Sequence, residues 1–158
     1  MTYRMACESA DLIAGIASLA GGTFLDSSRC APSQPVNILH IHGTADDTVF
    51  YAGGALGTTA FFLSNMPPFP GALQTVQFWA GYNGARDPVT DSAPSMDLDL
   101  NVPGLDTVIT RYTNHPPGAA VELWTINGGS YVPTLYSGRS SSEFALRVID
   151  WLFAHPKP

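Results

Sequence analysis

The chain has 158 residues, of which 45% are hydrophobic and 13% are charged, and its seven basic and thirteen acidic residues give a net charge of −6 at pH 7. This length and apolar content predict a single domain, residues 1–158, with one hydrophobic core. The acidic balance argues against partners such as nucleic acid or an anionic membrane surface. No apolar run approaches the roughly 20 residues that span a bilayer, and the first residues lack the order of a secretory signal, so the sequence as written predicts a cytosolic protein.

The first third of the chain predicts a helix and two buried strands. Thr2 to Ser9 is expected to form a short helix. Leu12 to Ala20 is apolar without clean alternation, and Val36 to His42 is rich in Val and Ile and is followed by Gly43. Continuous apolar runs of this length are typical of strands buried on both faces. Two of them predict a parallel sheet.

The two cysteines, Cys7 and Cys30, fit either one disulfide or two buried thiols, because sequence separation does not test the geometry of the bond. Low charge and thirteen prolines are also typical of secreted bacterial proteins. A secreted parent would carry its signal in a segment that precedes this one.

The middle of the chain predicts irregular structure around one helix. Asp46 to Gln74 is rich in Gly and Pro yet apolar, and it either covers the core or lines a cleft. Leu73 to Asn83 has helical spacing of its large apolar residues, and Gly84 is a plausible stop. The polar, proline-broken stretch from Asp87 to Pro103 predicts a surface loop.

The last third predicts a hairpin and a helix. Thr107 to Thr113 and Val121 to Ile126 alternate and are joined by a loop that contains Pro116, Pro117 and Gly118. Ser140 to Glu143 is a capping-box pattern ahead of a helix. Its apolar positions recur every three or four residues: Phe144, Ala145, Val148, Ile149, Trp151 and Leu152. The chain shows no cluster of metal-ligand residues, so neither a metal nor another cofactor is predicted.

Six segments in one chain order carry a family resemblance: Tyr3-Arg4-Met5-Ala6-Cys7-Glu8, Ile13 to Gly22, His40-Ile41-His42-Gly43-Thr44-Ala45-Asp46, Val76-Gln77-Phe78-Trp79-Ala80, Trp124-Thr125-Ile126-Asn127-Gly128-Gly129 and the terminal helix. They resemble the carboxyl half of the polyhydroxybutyrate depolymerase and feruloyl esterase family. The resemblance implies an α/β fold, here a partial α/β-hydrolase fold with a short, mostly parallel sheet, a carboxyl-side hairpin and flanking helices. It also implies cleavage of hydroxyalkanoate or hydroxycinnamate esters by a Ser, Asp and His triad.

The acid of such a triad is present. A serine becomes a nucleophile when an imidazole takes its proton, and a buried carboxylate orients that imidazole. Asp46 stands where the family's triad aspartate falls, and Asp47 is the local alternative. Without the resemblance, Asp46 reads as a residue that caps a turn through its side-chain oxygens.

The nucleophile and the base are the missing parts. The family's order is serine, acid, histidine, with the serine on a Gly-x-Ser-x-Gly elbow, and no such elbow occurs in residues 1–158. Met1 falls where the helix after the elbow is already under way. Tyr131 takes the position of the family's histidine, and a phenol with a pKa near 10 is a poor base at neutral pH.

Four aromatic or imidazole side chains are candidate cleft neighbours by position. His42 precedes the Gly43-Thr44 turn and either holds that turn or lines the cleft, and Phe61, Phe62 and Trp79 are expected near the substrate. His40 is predicted to be a core residue.

The sequence therefore predicts a carboxylic ester hydrolase domain that is weakly active or inactive alone. The alternatives are a non-catalytic binding or complementation module, or a gene fragment without a selected function. In the full fold another strand would pair with Ile13 to Ala20. Without it that apolar strand becomes an edge, which predicts self-association or pairing with a separate front-half chain.

Overall fold

The structure is a computed structural model, and it describes residues 1–54 and 68–158. Three helices are α1 (Thr2–Glu8), α2 (Ala72–Asn83) and α3 (Phe144–Ala154). The strands are β1 (Gly15–Leu19), β2 (Asn37–Gly43), β3 (Gly53–Gly54), β4 (Phe69–Pro70), β5 (Arg86–Thr90), β6 (Thr107–Asn114), β7 (Val121–Ile126), β8 (Tyr136–Ser137) and β9 (Ser140–Ser141). The three predicted helices, the first two strands and the hairpin are confirmed, with bounds shifted by a few residues.

Five strands form one sheet in the order β1-β2-β7-β6-β5. Strands β1, β2 and β7 run parallel, whereas β6 is antiparallel to both of its neighbours. The sheet is thus mixed but mostly parallel, and with its three helices it is compatible with a partial α/β fold. The predicted hairpin of β6 and β7 supplies the strand next to β2, which places the loop after β7 beside the turn after β2.

Strand β2, which lies between β1 and β7, is buried along its whole length and separates two apolar clusters. Successive side chains of a strand point to opposite faces. Ile38 therefore packs with residues of α1 and α2, whereas Leu39 and Ile41 pack with Trp151 of α3. His40 and His42 share the Ile38 face, and His40 is fully buried, which confirms its prediction as a core residue.

The side chain of Asn83 connects the end of α2 to the start of β2 through three hydrogen bonds. Its amide oxygen accepts the N–H of Val36 at 3.3 Å, and its amide nitrogen donates to the carbonyls of Val36 at 2.8 Å and Ala119 at 3.2 Å. Gly84 ends the helix in the left-handed conformation that favours glycine. The predicted stop is confirmed.

The predicted surface loop from Asp87 to Pro103 is wrong in two places, at its start and near Leu98. Residues Arg86–Thr90 form the edge strand β5, and all five side chains are exposed, so the buried-exposed alternation that reveals a strand is absent. Farther on, Leu98 and Asp99 are buried because the carboxylate of Asp106 accepts both of their N–H groups. The carboxylate of Asp106 thus satisfies the backbone of this stretch where it is buried.

The predicted capping box is also wrong, although the helix it introduced is present. Ser140–Ser141 pairs with Tyr136–Ser137, and Glu143 occupies the N-cap with no side-chain cap. The hydroxyl of Ser142 accepts the Phe144 N–H at 3.3 Å instead. Trp151 is the buried residue of α3.

Cys7 and Cys30 form a disulfide with a Cα separation of 5.5 Å. It joins α1 to the end of a short 3-10 turn at Ser27–Arg29. This decides between the two alternatives left by the sequence.

Within residues 1–54 and 68–158, no helix has both the length and the apolar character needed to cross a membrane.

Candidate functional site

The turn after β2 and the loop after β7 are hydrogen-bonded to each other at the carboxyl edge of the sheet. Thr44 N–H donates to the Ile126 carbonyl and Ala45 N–H to the Gly129 carbonyl, both at 2.9 Å, while Gly128 N–H donates to the Thr44 hydroxyl at 2.8 Å. A Cβ on Gly43 would overlap the backbone of Gly129 and Ser130. Glycine is therefore required for this close approach.

Asp46 lies at the bottom of this junction, with 5% of its surface exposed. Its Oδ1 atom accepts the N–H groups of Thr48 at 2.9 Å and Val49 at 2.8 Å. These two bonds confirm that Asp46 caps the turn through its side chain, since it accepts two backbone N–H groups there. They also fix the orientation of the carboxylate.

The second carboxylate oxygen, Oδ2, is nearly free. It lies 3.2 Å from Nε2 of His42, but among the described residues it has no partner that satisfies hydrogen-bond geometry. The same Nε2 lies closer to the carbonyl of Val49, at 2.7 Å. We conclude that the carbonyl of Val49 is the main acceptor for the N–H of His42, and that Oδ2 of Asp46 can accept a further hydrogen bond.

A buried chain of polar side chains leads away from this carboxylate. His42 Nδ1 lies 3.2 Å from His40 Nε2, and His40 Nδ1 lies 2.6 Å from the hydroxyl of Tyr3 on α1. Burial, followed by the charge of His42, lowers the pKa of His40 from 6.5 to about 3. Burial raises the pKa of Tyr3 far above its usual value. Both groups are neutral at physiological pH.

Tyr131 stands apart from these contacts. It lies two residues after Gly129, in the loop that pairs with the Asp46 turn, and 42% of its surface is exposed. Within residues 1–54 and 68–158 no hydrogen bond or ring contact joins it to Asp46. The structure thus brings the two loops together without joining the two side chains.

The predicted cleft neighbours lie in different places. His42 is buried against Asp46, and Trp79 is fully buried in the core against Tyr3 and Tyr82. Phe61 and Phe62 lie outside the described residues. A role in contacting substrate stays a prediction for all four.

Two tyrosines near the site were not singled out from the sequence. Tyr3 ends the buried chain, and Tyr51 places its ring edge-on to His42 at 5.5 Å while its hydroxyl bonds that of Thr125 at 2.9 Å. Nothing in the local pattern marks either one, because their roles depend on contacts across the sheet. The position of Tyr51 after Asp46 in the sequence becomes informative only once the structure of the segment between them is known.

A cavity of about 380 Å³ adjoins α1 and is lined by Tyr3, Gly22, Thr23 and Phe24. None of the predicted site residues that the structure describes lines it. In the part of the chain that the structure describes, no group of three or more His, Cys, Asp and Glu residues could hold a metal ion.

Comparison with known proteins gives one informative match. No protein-family model matches the chain. The chain is 30% identical over 135 residues to feruloyl esterase B of Piromyces equi, and this region is 83% of the chain and 22% of that protein. The chain therefore spans about a fifth of the length of the curated relative it matches. The similarity supports a feruloyl esterase-like relationship.

Proposed function

We propose that the chain is the acid-bearing part of a carboxylic ester hydrolase of feruloyl esterase type, built on a partial α/β-hydrolase fold, with Asp46 as the triad acid. The observation that carries this proposal is the buried Asp46 carboxylate, in which Oδ1 is held by two N–H groups and Oδ2 is open. In a triad, one carboxylate oxygen must be available to the N–H of the catalytic imidazole.

The topology supports the same proposal. In α/β sheets, ligands bind at the carboxyl ends of the strands, and Asp46 follows β2 at this edge. The loop after the adjacent parallel strand β7 carries position 131, and it is bonded directly to the acid turn through Ala45 and Gly129. Acid and base of a triad would come from these two loops.

The residues present predict little or no turnover by this chain alone. No Gly-x-Ser-x-Gly occurs in its 158 residues, and Tyr131 holds the position of the imidazole. A phenol is a poor general base at neutral pH. We propose hydroxycinnamate esters as the substrate class of the lineage, with hydroxyalkanoate esters as the second class, and His42, Phe61, Phe62 and Trp79 as residues around the cleft.

A direct assay tests the inactivity. Purified chain should not hydrolyse methyl ferulate, p-nitrophenyl acetate or p-nitrophenyl butyrate above the buffer rate, and neither should Tyr131→His. Hydrolysis that Asp46→Ala abolishes would show that a nucleophile and a base are present in this chain and would overturn the proposed inactivity.

A chimera tests the role of Asp46. The matching region of the Piromyces equi feruloyl esterase is replaced by this chain with Tyr131→His, which supplies the imidazole. We expect this chimera to hydrolyse methyl ferulate and Asp46→Ala to lower kcat by roughly three to four orders of magnitude, as the loss of a triad acid does. Asp47→Ala is the matched control and should retain activity. Loss of activity in Asp47→Ala with retention in Asp46→Ala would assign the acid to Asp47.

A complementation module is the second candidate, and strand β1 favours it. Ala14 and Ala20 use their backbone groups to bond β2, so the alternating Gly15, Ala17 and Leu19 direct theirs to the outer edge of the sheet. An apolar strand with free donors and acceptors pairs with another chain. Light scattering during size exclusion should show self-association. A sharp monomer peak with cooperative thermal unfolding would eliminate this candidate.

A further inference from the structure

One direction of hydrogen bonding satisfies the groups at both ends of the buried chain that runs from Tyr3 to Asp46. The Val49 carbonyl can only accept a hydrogen bond, and it lies 2.7 Å from Nε2 of His42. That nitrogen must therefore carry a proton. The nearby carboxylate oxygen Oδ2 of Asp46, at 3.2 Å, is also an acceptor, so it too disfavours a lone pair on that nitrogen.

With Nε2 of His42 protonated, one assignment of donors and acceptors satisfies the remaining groups of the chain. A neutral imidazole has one donor and one acceptor nitrogen, so Nδ1 of a neutral His42 accepts from His40 Nε2 at 3.2 Å. The Nδ1 atom of neutral His40 is then an acceptor, and the hydroxyl of Tyr3 donates to it at 2.6 Å. Each donor in this series has an acceptor.

We propose that Tyr3 and His40 are positioning residues for Asp46, which act by fixing His42 as the tautomer protonated at Nε2. The opposite tautomer would place the lone pair of Nε2 against the Val49 carbonyl and the Asp46 carboxylate. Two buried acceptors facing a third would open the turn that holds the carboxylate. The α1 helix thereby contributes to the geometry of a site at the carboxyl end of β2. The importance of Asp46 rests on the proposed function, whereas the direction of the hydrogen bonds does not.

Ring-nitrogen NMR of the uniformly ¹⁵N-labelled chain tests the proposal directly. At about pH 8, correlation of the ring nitrogens with the carbon-bound ring protons identifies the protonated nitrogen of each histidine. We expect His40 and His42 to be protonated at Nε2. His115 and His155 are internal references of the opposite kind, because their Nδ1 atoms lie 2.9 Å from the Pro116 carbonyl and 2.7 Å from the Trp151 carbonyl. Protonation of neutral His40 or His42 at Nδ1 in the wild type would overturn the proposal, and this arm needs no variant.

Two matched variants test the action of Tyr3 through the chain. Tyr3→Phe removes the hydroxyl that donates to His40, so the ring nitrogens of both His40 and His42 should shift toward a mixture of tautomers. Tyr51→Phe is the control, because Tyr51 contacts the His42 ring but gives its hydroxyl to Thr125. In Tyr51→Phe the ring nitrogens of His40 and His42 should keep the wild-type protonation pattern. Equal effects of the two variants, or no effect of Tyr3→Phe in a folded protein, would refute the positioning role.

The NMR result is independent of ester hydrolysis. Tautomers other than those expected would remove the positioning role and leave the chimera test of Asp46 unaffected. Conversely, an active chimera with Asp46→Ala would remove the triad role and leave the direction of the hydrogen bonds intact.

Discussion

The two loops that meet at the carboxyl edge of the sheet are held in opposite ways. In the turn after β2, Asp46 is buried and its carboxylate is bonded to Thr48 and Val49, with the buried chain of His42, His40 and Tyr3 behind it. In the loop after β7, Tyr131 is exposed, and the hydrogen bonds to the Asp46 turn come from the backbone of Gly128 and Gly129. Asp46, the proposed acid, is part of the core, whereas Tyr131, in the position proposed for the base, is on the surface. We therefore expect substitution of Tyr131 to cost little stability and substitution of Asp46 to disturb the fold.

The largest effect should come from separating the two loops. Gly43→Ala places a methyl group on the backbone of Gly129 and Ser130, neither of which can rotate away. We expect a loss of at least about 4 kcal/mol in the free energy of unfolding, measured by urea denaturation. Gly81→Ala in α2 is the control, because its Cβ would meet nothing within 4 Å and alanine favours a helix. Wild-type stability of Gly43→Ala would mean that the loops are not in close contact.

The buried side of the comparison should respond to acid. The pKa of His40 falls from 6.5 to about 3 on folding, so the unfolded chain binds the extra proton between these values. Stability is fully present above about pH 6.5 and is lost as the pH falls. From pH 6.5 to pH 5, above the range in which most carboxylates titrate, the loss should approach about 2 kcal/mol. Urea midpoints at half-unit pH steps measure it, and a flat profile over this interval would contradict the neutral buried state of His40.

The smallest effect should come from the exposed side. Tyr131→His changes a side chain that is 42% exposed and has no described partner, so the free energy of unfolding should change by less than about 0.5 kcal/mol. Thermal melts of the two proteins, run side by side, measure it. A loss above about 1 kcal/mol would show that Tyr131 packs more closely than this structure describes and would weaken the contrast between the loops.

The sequence predicted those parts of the fold that depend on local pattern. Apolar runs predicted β1 and β2, and the helical spacing of apolar residues predicted α2 and α3, because the burial of a strand or helix depends on the pattern of neighbouring residues. It missed β5, whose side chains are all exposed, and the buried segment at Leu98, whose N–H groups are satisfied by Asp106 eight residues later. The site was predicted in the same uneven way. A motif indicated Asp46, but it did not indicate that Oδ2 lacks a partner. The hydrogen bond from Tyr3 to His40 joins residues 37 positions apart, and no local pattern contains such a contact.

The disulfide between Cys7 and Cys30 has a consequence for the helix that carries Tyr3. It closes a segment with a sequence separation of 23 residues, and such a loop restricts the unfolded chain by about 3 kcal/mol at 25 °C. Helix α1 has seven residues and lacks a side-chain cap, so it has little stability of its own. The redox potential of the surroundings therefore determines how firmly the first turn of the chain, and the phenol on it, is held against the sheet.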